Sequence, residues 1–259
     1  VKRITVPDII SRKGKEKITS LTAYDYITAR ILDEGGVDII LVGDSASMVM
    51  QGNDSTIPIT MDEMIYHTKL VSRAVKRALV VGDMPFGSYQ ASISDGVRNA
   101  VRFMKEGGAH AVKVEGGMEV LELVERLTSF GIPVMGHIGL MPQRVHQIGG
   151  YKLVKDESMI EVAKALEEAG VFAIVLEKVP SEIAKKITES ISVPTIGIGA
   201  GPHVDGQVLV FHDVVGLSGM RLKFVRQYVD GHSIFLNAVR RFVEDVKEGL
   251  FPSKEESYE

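Results

Sequence analysis

Short apolar runs recur along the chain, and most are followed by a longer stretch whose apolar positions fall three and four residues apart. The runs fit strands buried on both faces, and the longer stretches fit the helices that cover them. Strands are expected at 17–22, 37–43, 79–83, 110–115, 132–136, 171–176, 193–198 and 207–215. Asp25 is placed to cap a helix over 26–34 that Gly35 and Gly36 stop. Thr60 and Glu63 have capping-box spacing ahead of a stripe of Met61, Met64, Ile65, Thr68, Val71 and Val75. A second stripe runs through Ile93, Val97, Ala100, Val101 and Met104 as far as Gly107. Further helices are expected over 118–129, 158–168, 181–189 and 221–247, the last interrupted near Gly231. Residues 7–10 read as a single helical turn, 47–58 as a long connection or flap, and 139–156 as a connection holding a helical turn. Eight strand–helix units in one chain predict an α/β fold of the closed (β/α)8 kind, a TIM barrel. A doubly wound sheet uses the same alternation with fewer strands. No linker composition divides the chain, so one barrel domain over 1–259 is expected, with a short N-terminal extension and C-terminal helices.

Composition narrows the chemistry. The 259 residues are 45% hydrophobic and 25% charged, with a formal net charge of −4. A mildly acidic chain offers no electrostatic case for nucleic acid or an anionic membrane surface. The local cluster of Arg73, Lys76 and Arg77 reads as a solvated helix face. The absence of cysteine excludes disulfides, thiolate nucleophiles and cysteine-ligated zinc or iron–sulfur centres. No apolar stretch approaches the length of a membrane span, and no apolar signal segment follows the basic N-terminus, so a cytoplasmic location is expected.

The polar residues that end the strands are more telling. Asp44, Asp83 and Glu115 each follow or close an apolar run, which places three carboxylates on the C-terminal rim where barrel enzymes carry their active sites. Asp44 and Asp83 are candidate ligands for Mg2+, whose preference is for hard oxygen donors; each taken alone also fits a turn or helix cap. Glu115 has the reach to bind the ion or to hold one of its waters. Lys113 lies two residues before Glu115 and therefore on the same side of its strand. It can bind a substrate carboxylate, offset developing negative charge, or simply pair with Glu115. His137 reads as a donor to a carbonyl or carboxylate, or as a hydrogen-bonded loop residue. Glu177 reads as a general base across the mouth, or as a cap of the following helix. The glycines of 197–201 lack the Gly-Lys-Ser/Thr ending of a nucleotide loop and fit a tight turn equally well.

Several segments, in order, resemble the ketopantoate hydroxymethyltransferase family, also called 3-methyl-2-oxobutanoate hydroxymethyltransferase. They are Gly43-Asp44-Ser45, the stretch 51–56, Tyr66-His67-Thr68, Asp83-Met84-Pro85-Phe86, the stretches 112–117 and 137–143, Leu176-Glu177, 195–201, Asp205-Gly206-Gln207 and 210–213. The resemblance covers about residues 4 to 247. It implies a barrel of the phosphoenolpyruvate mutase/isocitrate lyase-like type that moves a hydroxymethyl unit from 5,10-methylenetetrahydrofolate to 3-methyl-2-oxobutanoate. The product is 2-dehydropantoate (ketopantoate), formed through a magnesium-stabilised enolate in pantothenate biosynthesis. The resemblance also implies residue roles. Asp44 and Asp83 hold Mg2+ with Glu115 ligating it or ordering its water; Asp44, Ser45, Asp83, Lys113 and His137 bind the keto acid; Glu177 is the proton acceptor. It further implies a homo-oligomer, in the family often a homodecamer built as a pentamer of dimers. The same acids also suit a magnesium-dependent lyase or mutase that acts on a carbon–carbon bond of an α-oxo acid, which is the alternative reading.

Overall fold

The computed structural model describes residues 2–150 and 155–258; of the connection expected over 139–156, residues 151–154 lie outside the described residues. The chain divides into two compact units, one ending at Val210 and the other beginning at Phe211. In the first, the strands are β1 (Ile18–Thr22), β2 (Ile39–Val42), β3 (Leu79–Asp83), β4 (Ala111–Glu115), β5 (Val134–Gly139), β6 (Ala173–Glu177), β7 (Thr195–Ile198) and β8 (Gly206–Leu209). They form a closed barrel in sequence order, every neighbouring pair parallel, and β8 pairs back onto β1. The helices of this unit are α1 (Val6–Ile10), α2 (Tyr26–Glu34), α3 (Ala46–Val49), α4 (Met61–Ala74), α5 (Ile93–Arg102), α6 (Leu121–Ser129), α7 (Val145–Ile148), α8 (Met159–Glu168) and α9 (Ser181–Ser190).

The caps read from the sequence are in place. Thr60 and Glu63 exchange side-chain and backbone hydrogen bonds at the start of α4, and the Asp25 carboxylate accepts from the Thr28 amide at the start of α2. Alternation along the strands fills the barrel. Ile39 and Leu41, Leu79 and Val81, Ala111, Met135, Ala173 and Val175, Ile196 and Val208 belong to one buried apolar cluster. The other parity faces the helices, as a strand sandwiched between barrel interior and helix layer requires.

Three segments differ from the sequence expectation. The fifth strand continues past 136 to Gly139, because β6 offers it backbone partners as far as Glu177. The eighth strand stops at Leu209 rather than 215, since Phe211–Val214 closes a helical turn. Of 221–247 only 231 onward is helical. In the second unit, the Tyr228 and Gly231 amides instead donate to the carbonyls of Val214 and Val215 (2.8 and 2.9 Å). That unit therefore comprises α10 (Phe211–Val214), an irregular stretch folded back on it, and α11 (Gly231–Glu248), whose N-terminus Asp230 caps.

The stripe expected on α5 is also displaced. The buried positions are Gly96, Ala100, Phe103 and Gly107, while Ile93, Val97, Val101 and Met104 are half-buried. The cause is a π turn over Phe103–Gly107 that closes α5. Phe103 is wholly buried, and its ring lies over Gly82 of β3: a Cβ built on Gly82 would sit 2.3 Å from Cδ1 of that ring. Gly82→Ala should therefore lower stability by about 1–3 kcal/mol, the usual cost of overpacking. Urea denaturation of the purified variant measures it, and an unchanged midpoint would show that the ring is free to move.

Candidate active site

Register carries polar side chains around the mouth of the barrel. Asp83 pairs with Lys113, Glu115 pairs with His137, and Gly139 pairs with Glu177. Each step advances two residues along a strand before crossing to the next, so the side chains stay on the inward-facing parity. The parity that buries Leu79 and Val81 below thus presents Asp83 at the top of the same strand. Asp44 follows β2 by two residues, and its amide donates to Asp83 Oδ2 at 3.1 Å. Asp44, Asp83, Lys113, Glu115 and His137 are all buried, and Glu177 is the most open of the acids, with 15% of its side chain exposed.

Lys113 is the hub. Its Nζ donates to Asp83 Oδ1 at 2.6 Å and reaches Glu115 Oε1 at 3.4 Å. Glu115 Oε1 also lies 3.3 Å from His137 Nδ1, and His137 Nε2 lies 3.4 Å from Glu177 Oε2. These histidine contacts are ionic; neither nitrogen makes an aligned hydrogen bond. His137 lies within β5, two residues before its end, where its ring is held between the two carboxylates. Glu177 closes β6, and Lys178 after it takes a left-handed conformation (φ 46°) that turns the chain sharply away. Gly139 is required beside it, since a Cβ there would meet the Glu177 carbonyl oxygen at 2.4 Å.

The charges compensate unevenly. Burial alone would raise Glu115, yet the Lys113 ammonium and then His137 outweigh it and hold its carboxyl at about 2. Burial likewise opposes the charged forms of Lys113 and His137. Facing acids prevail, raising Lys113 above its ordinary value and His137 to about 9. Asp44 stays well above the usual carboxylate range, first through burial and then through the neighbouring Asp83 and Glu115 charges. Asp83 is raised as well, by burial that its Lys113 contact only partly offsets. At the Asp44–Asp83 corner, burial and mutual repulsion therefore oppose two bare carboxylates and favour a positively charged partner between them.

That corner fits a hard divalent cation. Among the described residues no group of three or more His, Asp and Glu side chains is arranged to hold a metal ion by itself. Mg2+ characteristically takes one or two protein carboxylates and fills its remaining positions with water and substrate oxygens. Two adjacent buried carboxylates whose charge nothing nearby fully offsets match that ion in charge and donor type.

The family profile of ketopantoate hydroxymethyltransferase matches residues 3–254. The chain belongs to that family. It is 54% identical over 253 residues to a 3-methyl-2-oxobutanoate hydroxymethyltransferase of Thermoanaerobacter sp. (strain X514), covering 95% of this chain and 92% of that one. Against the enzyme of the same description from Pyrococcus furiosus the identity is 51% over 264 residues, 100% of this chain and 93% of that one. Among solved structures, 2,3-dimethylmalate lyase, a PEP mutase/isocitrate lyase superfamily member, superposes with a TM-score of 0.61 at 16% identity. It covers 98% of this chain and 92% of that chain, a likeness that establishes the barrel type alone.

In this ketopantoate hydroxymethyltransferase family member, three residues shape the site that apolar periodicity did not point to. Tyr24, wholly buried, holds the Ser45 hydroxyl at 2.8 Å, and its own carbonyl oxygen lies 2.7 Å from His67 Nδ1. Tyr89 and Gln143 are buried against Glu115. All three stand in or beside loops at the C-terminal rim, where position on the rim is the available signal. Replacing Lys113 by Met should cost about 3–5 kcal/mol at pH 7, because Asp83 and Glu115 would face each other with no ammonium between them. The loss should shrink at pH 5. Without the cation the two carboxyls titrate higher, so falling pH protonates them and relieves the repulsion. Urea denaturation at both pH values reads this, and an equal loss at each would remove charge repulsion as its cause.

Proposed function

We propose that this chain transfers a hydroxymethyl unit from 5,10-methylenetetrahydrofolate to 3-methyl-2-oxobutanoate, giving 2-dehydropantoate for pantothenate formation. The observation that carries the reading is membership of the ketopantoate hydroxymethyltransferase family over residues 3–254. The residue roles are those the family resemblance implies, and the grouping of these side chains at the barrel mouth supports them. Asp44 and Asp83 would hold Mg2+, with Glu115 binding it directly or through ordered water. When bound, the ion draws electron density from the keto acid's carbonyl and increases the acidity of the neighbouring carbon. Ser45, Lys113 and His137 bind the carboxylate and keto oxygens of the substrate. The cationic Lys113 and His137 offset negative charge that develops on the keto oxygen, in surroundings closed to bulk water.

Glu177 takes the proton from the branched carbon, C3, of the keto acid. His137 Nε2, 3.4 Å away, faces its carboxylate with positive charge. The carbanionic C3 then forms a bond to the methylene carbon of the folate as a carbon–nitrogen bond to that carbon breaks. Water supplies the hydroxyl as the second carbon–nitrogen bond to that carbon breaks, and the two folate nitrogens regain protons, one from C3 by way of Glu177 and one from the water. Glu177→Gln removes the base and keeps its size. In folded variant protein, exchange of the C3 hydrogen for deuterium, followed without folate, should fall by about 10²–10⁴ while keto-acid binding survives. Near-normal exchange would remove Glu177 from the base role and leave a water beside Glu115 as the next candidate.

The chain is also proposed to work as a homo-oligomer. Support comes from α11, where Ile234, Phe235, Val239, Phe242, Val243 and Val246 are exposed, more apolar surface on one helix than a solvated face requires. Analytical ultracentrifugation should show a species larger than a monomer at working concentration. A monomer there would overturn the assignment.

A further inference from the structure

The loop after β5 sends one side chain into the acid cluster, and it is an amide. Gln143 belongs to the 3-10 turn Pro142–Arg144, is buried, and engages its backbone N–H and both polar atoms of its side chain. Its backbone N–H donates to Glu115 Oε2 at 3.2 Å. Its side-chain nitrogen donates to Asp44 Oδ2 and to the Met84 carbonyl, both at 3.0 Å. Its side-chain oxygen accepts from the Tyr89 hydroxyl at 2.8 Å and from the Gln90 amide at 3.1 Å. The Met84 carbonyl can only accept, so the amide orientation is fixed by the network rather than chosen between equal alternatives. Two donors and two acceptor directions are all used.

We infer that Gln143 is the positioning residue of the acid pair: its side chain fixes Asp44 Oδ2 while its backbone fixes Glu115 Oε2. The inference rests on the reading that Asp44 and Asp83 hold Mg2+. Three strands and one loop meet in this residue. Asp44 follows β2, Met84 follows β3, Glu115 closes β4, and Gln143 follows β5. With Oδ2 of Asp44 occupied by the amide, its Oδ1 is the oxygen left for a cation. Tyr89 completes the clamp. Its hydroxyl accepts from the Glu115 amide at 3.2 Å, and its single proton is shared between Gln143 Oε1 and the Glu115 carbonyl. No charge is added by either residue, so the clamp sets the direction of the carboxylates without cancelling the negative charge a cation needs. Partners of this kind commonly govern affinity at metal sites although they never touch the ion.

The test measures Mn2+ binding, with Mn2+ in place of Mg2+, by electron paramagnetic resonance of the free ion in the absence of substrate. Gln143→Met keeps length and volume and removes both side-chain donors. It should weaken Mn2+ binding by about 10–100-fold. Tyr89→Phe, which removes one oxygen and leaves the ring in place, should weaken it by about 2–10-fold, the range of one hydrogen bond. In turnover, the Mg2+ concentration giving half-maximal rate should rise in step, and the rate at saturating Mg2+ should fall by less. A merely structural role would lower thermal stability without that split. Wild-type affinity in Gln143→Met, or in Tyr89→Phe should the first variant fail to fold, would overturn the inference alone. Failure of the wild-type protein to bind Mn2+ in a manner lost on Asp83→Ala would overturn the metal reading and the inference with it.

Discussion

An ammonium group taken out of water inside a barrel is stable only if carboxylates accompany it. Lys113 imposes that condition on everything around it. Its nitrogen must meet Asp83 from the strand before it and Glu115 two residues ahead on its own strand, which ties β3 to β4 at their upper ends. Glu115, held ionised by Lys113, in turn raises His137 and keeps it cationic through neutrality, and His137 faces Glu177. One buried cation thereby sets the protonation state of a chain of groups that crosses three strands.

The barrel supplies this arrangement through its stagger. Inward positions are apolar in the lower layers and polar at the top, and the change occurs within single strands: Leu79, Val81, then Asp83; Ala111, then Lys113 and Glu115; Met135, then His137. Below the change, packing needs no direction. Above it, every side chain must find a partner, and the two-residue advance from strand to strand provides one each time. A slip of one residue in any pair would turn the polar group toward the covering helices. The apolar layers therefore secure the register on which the polar mouth depends.

Much of this was legible in the sequence because period-two alternation and strand-end acids are local signals. The eight strands and the rim positions of Asp44, Asp83, Lys113, Glu115 and Glu177 follow from them. The structure places His137 inside β5, since the ladder is set by what β6 offers and not by where the apolar run of β5 ends. The stripe on α5 misled for a similar reason: the π turn at Phe103 exists to fit a ring over Gly82, a partner distant in sequence. Gln143 lay beyond periodicity altogether. A polar residue in a Pro-containing loop reads as solvated until the fold brings five partners to it.

The same charge pattern distinguishes the acids as proton acceptors. Asp83 is engaged at 2.6 Å by Lys113, and accepting a proton there would break the tightest ion pair in the cluster. Glu115 is held at about 2 by two cations, so its carboxylate is a feeble base. Asp44 has one oxygen on Gln143 and sits in the corner whose negative charge suits a cation, where a proton would compete with the ion. Glu177 has His137 as an ionic neighbour at 3.4 Å, and its side chain is partly open toward the mouth where the keto acid must enter. A base needs to be ionised before the reaction, able to take a proton during it, and able to release that proton afterwards. Of the four carboxylates, Glu177 alone combines an adjacent positive charge with freedom from the Lys113 hub and from the Asp44–Asp83 corner, which supports its assignment as the base.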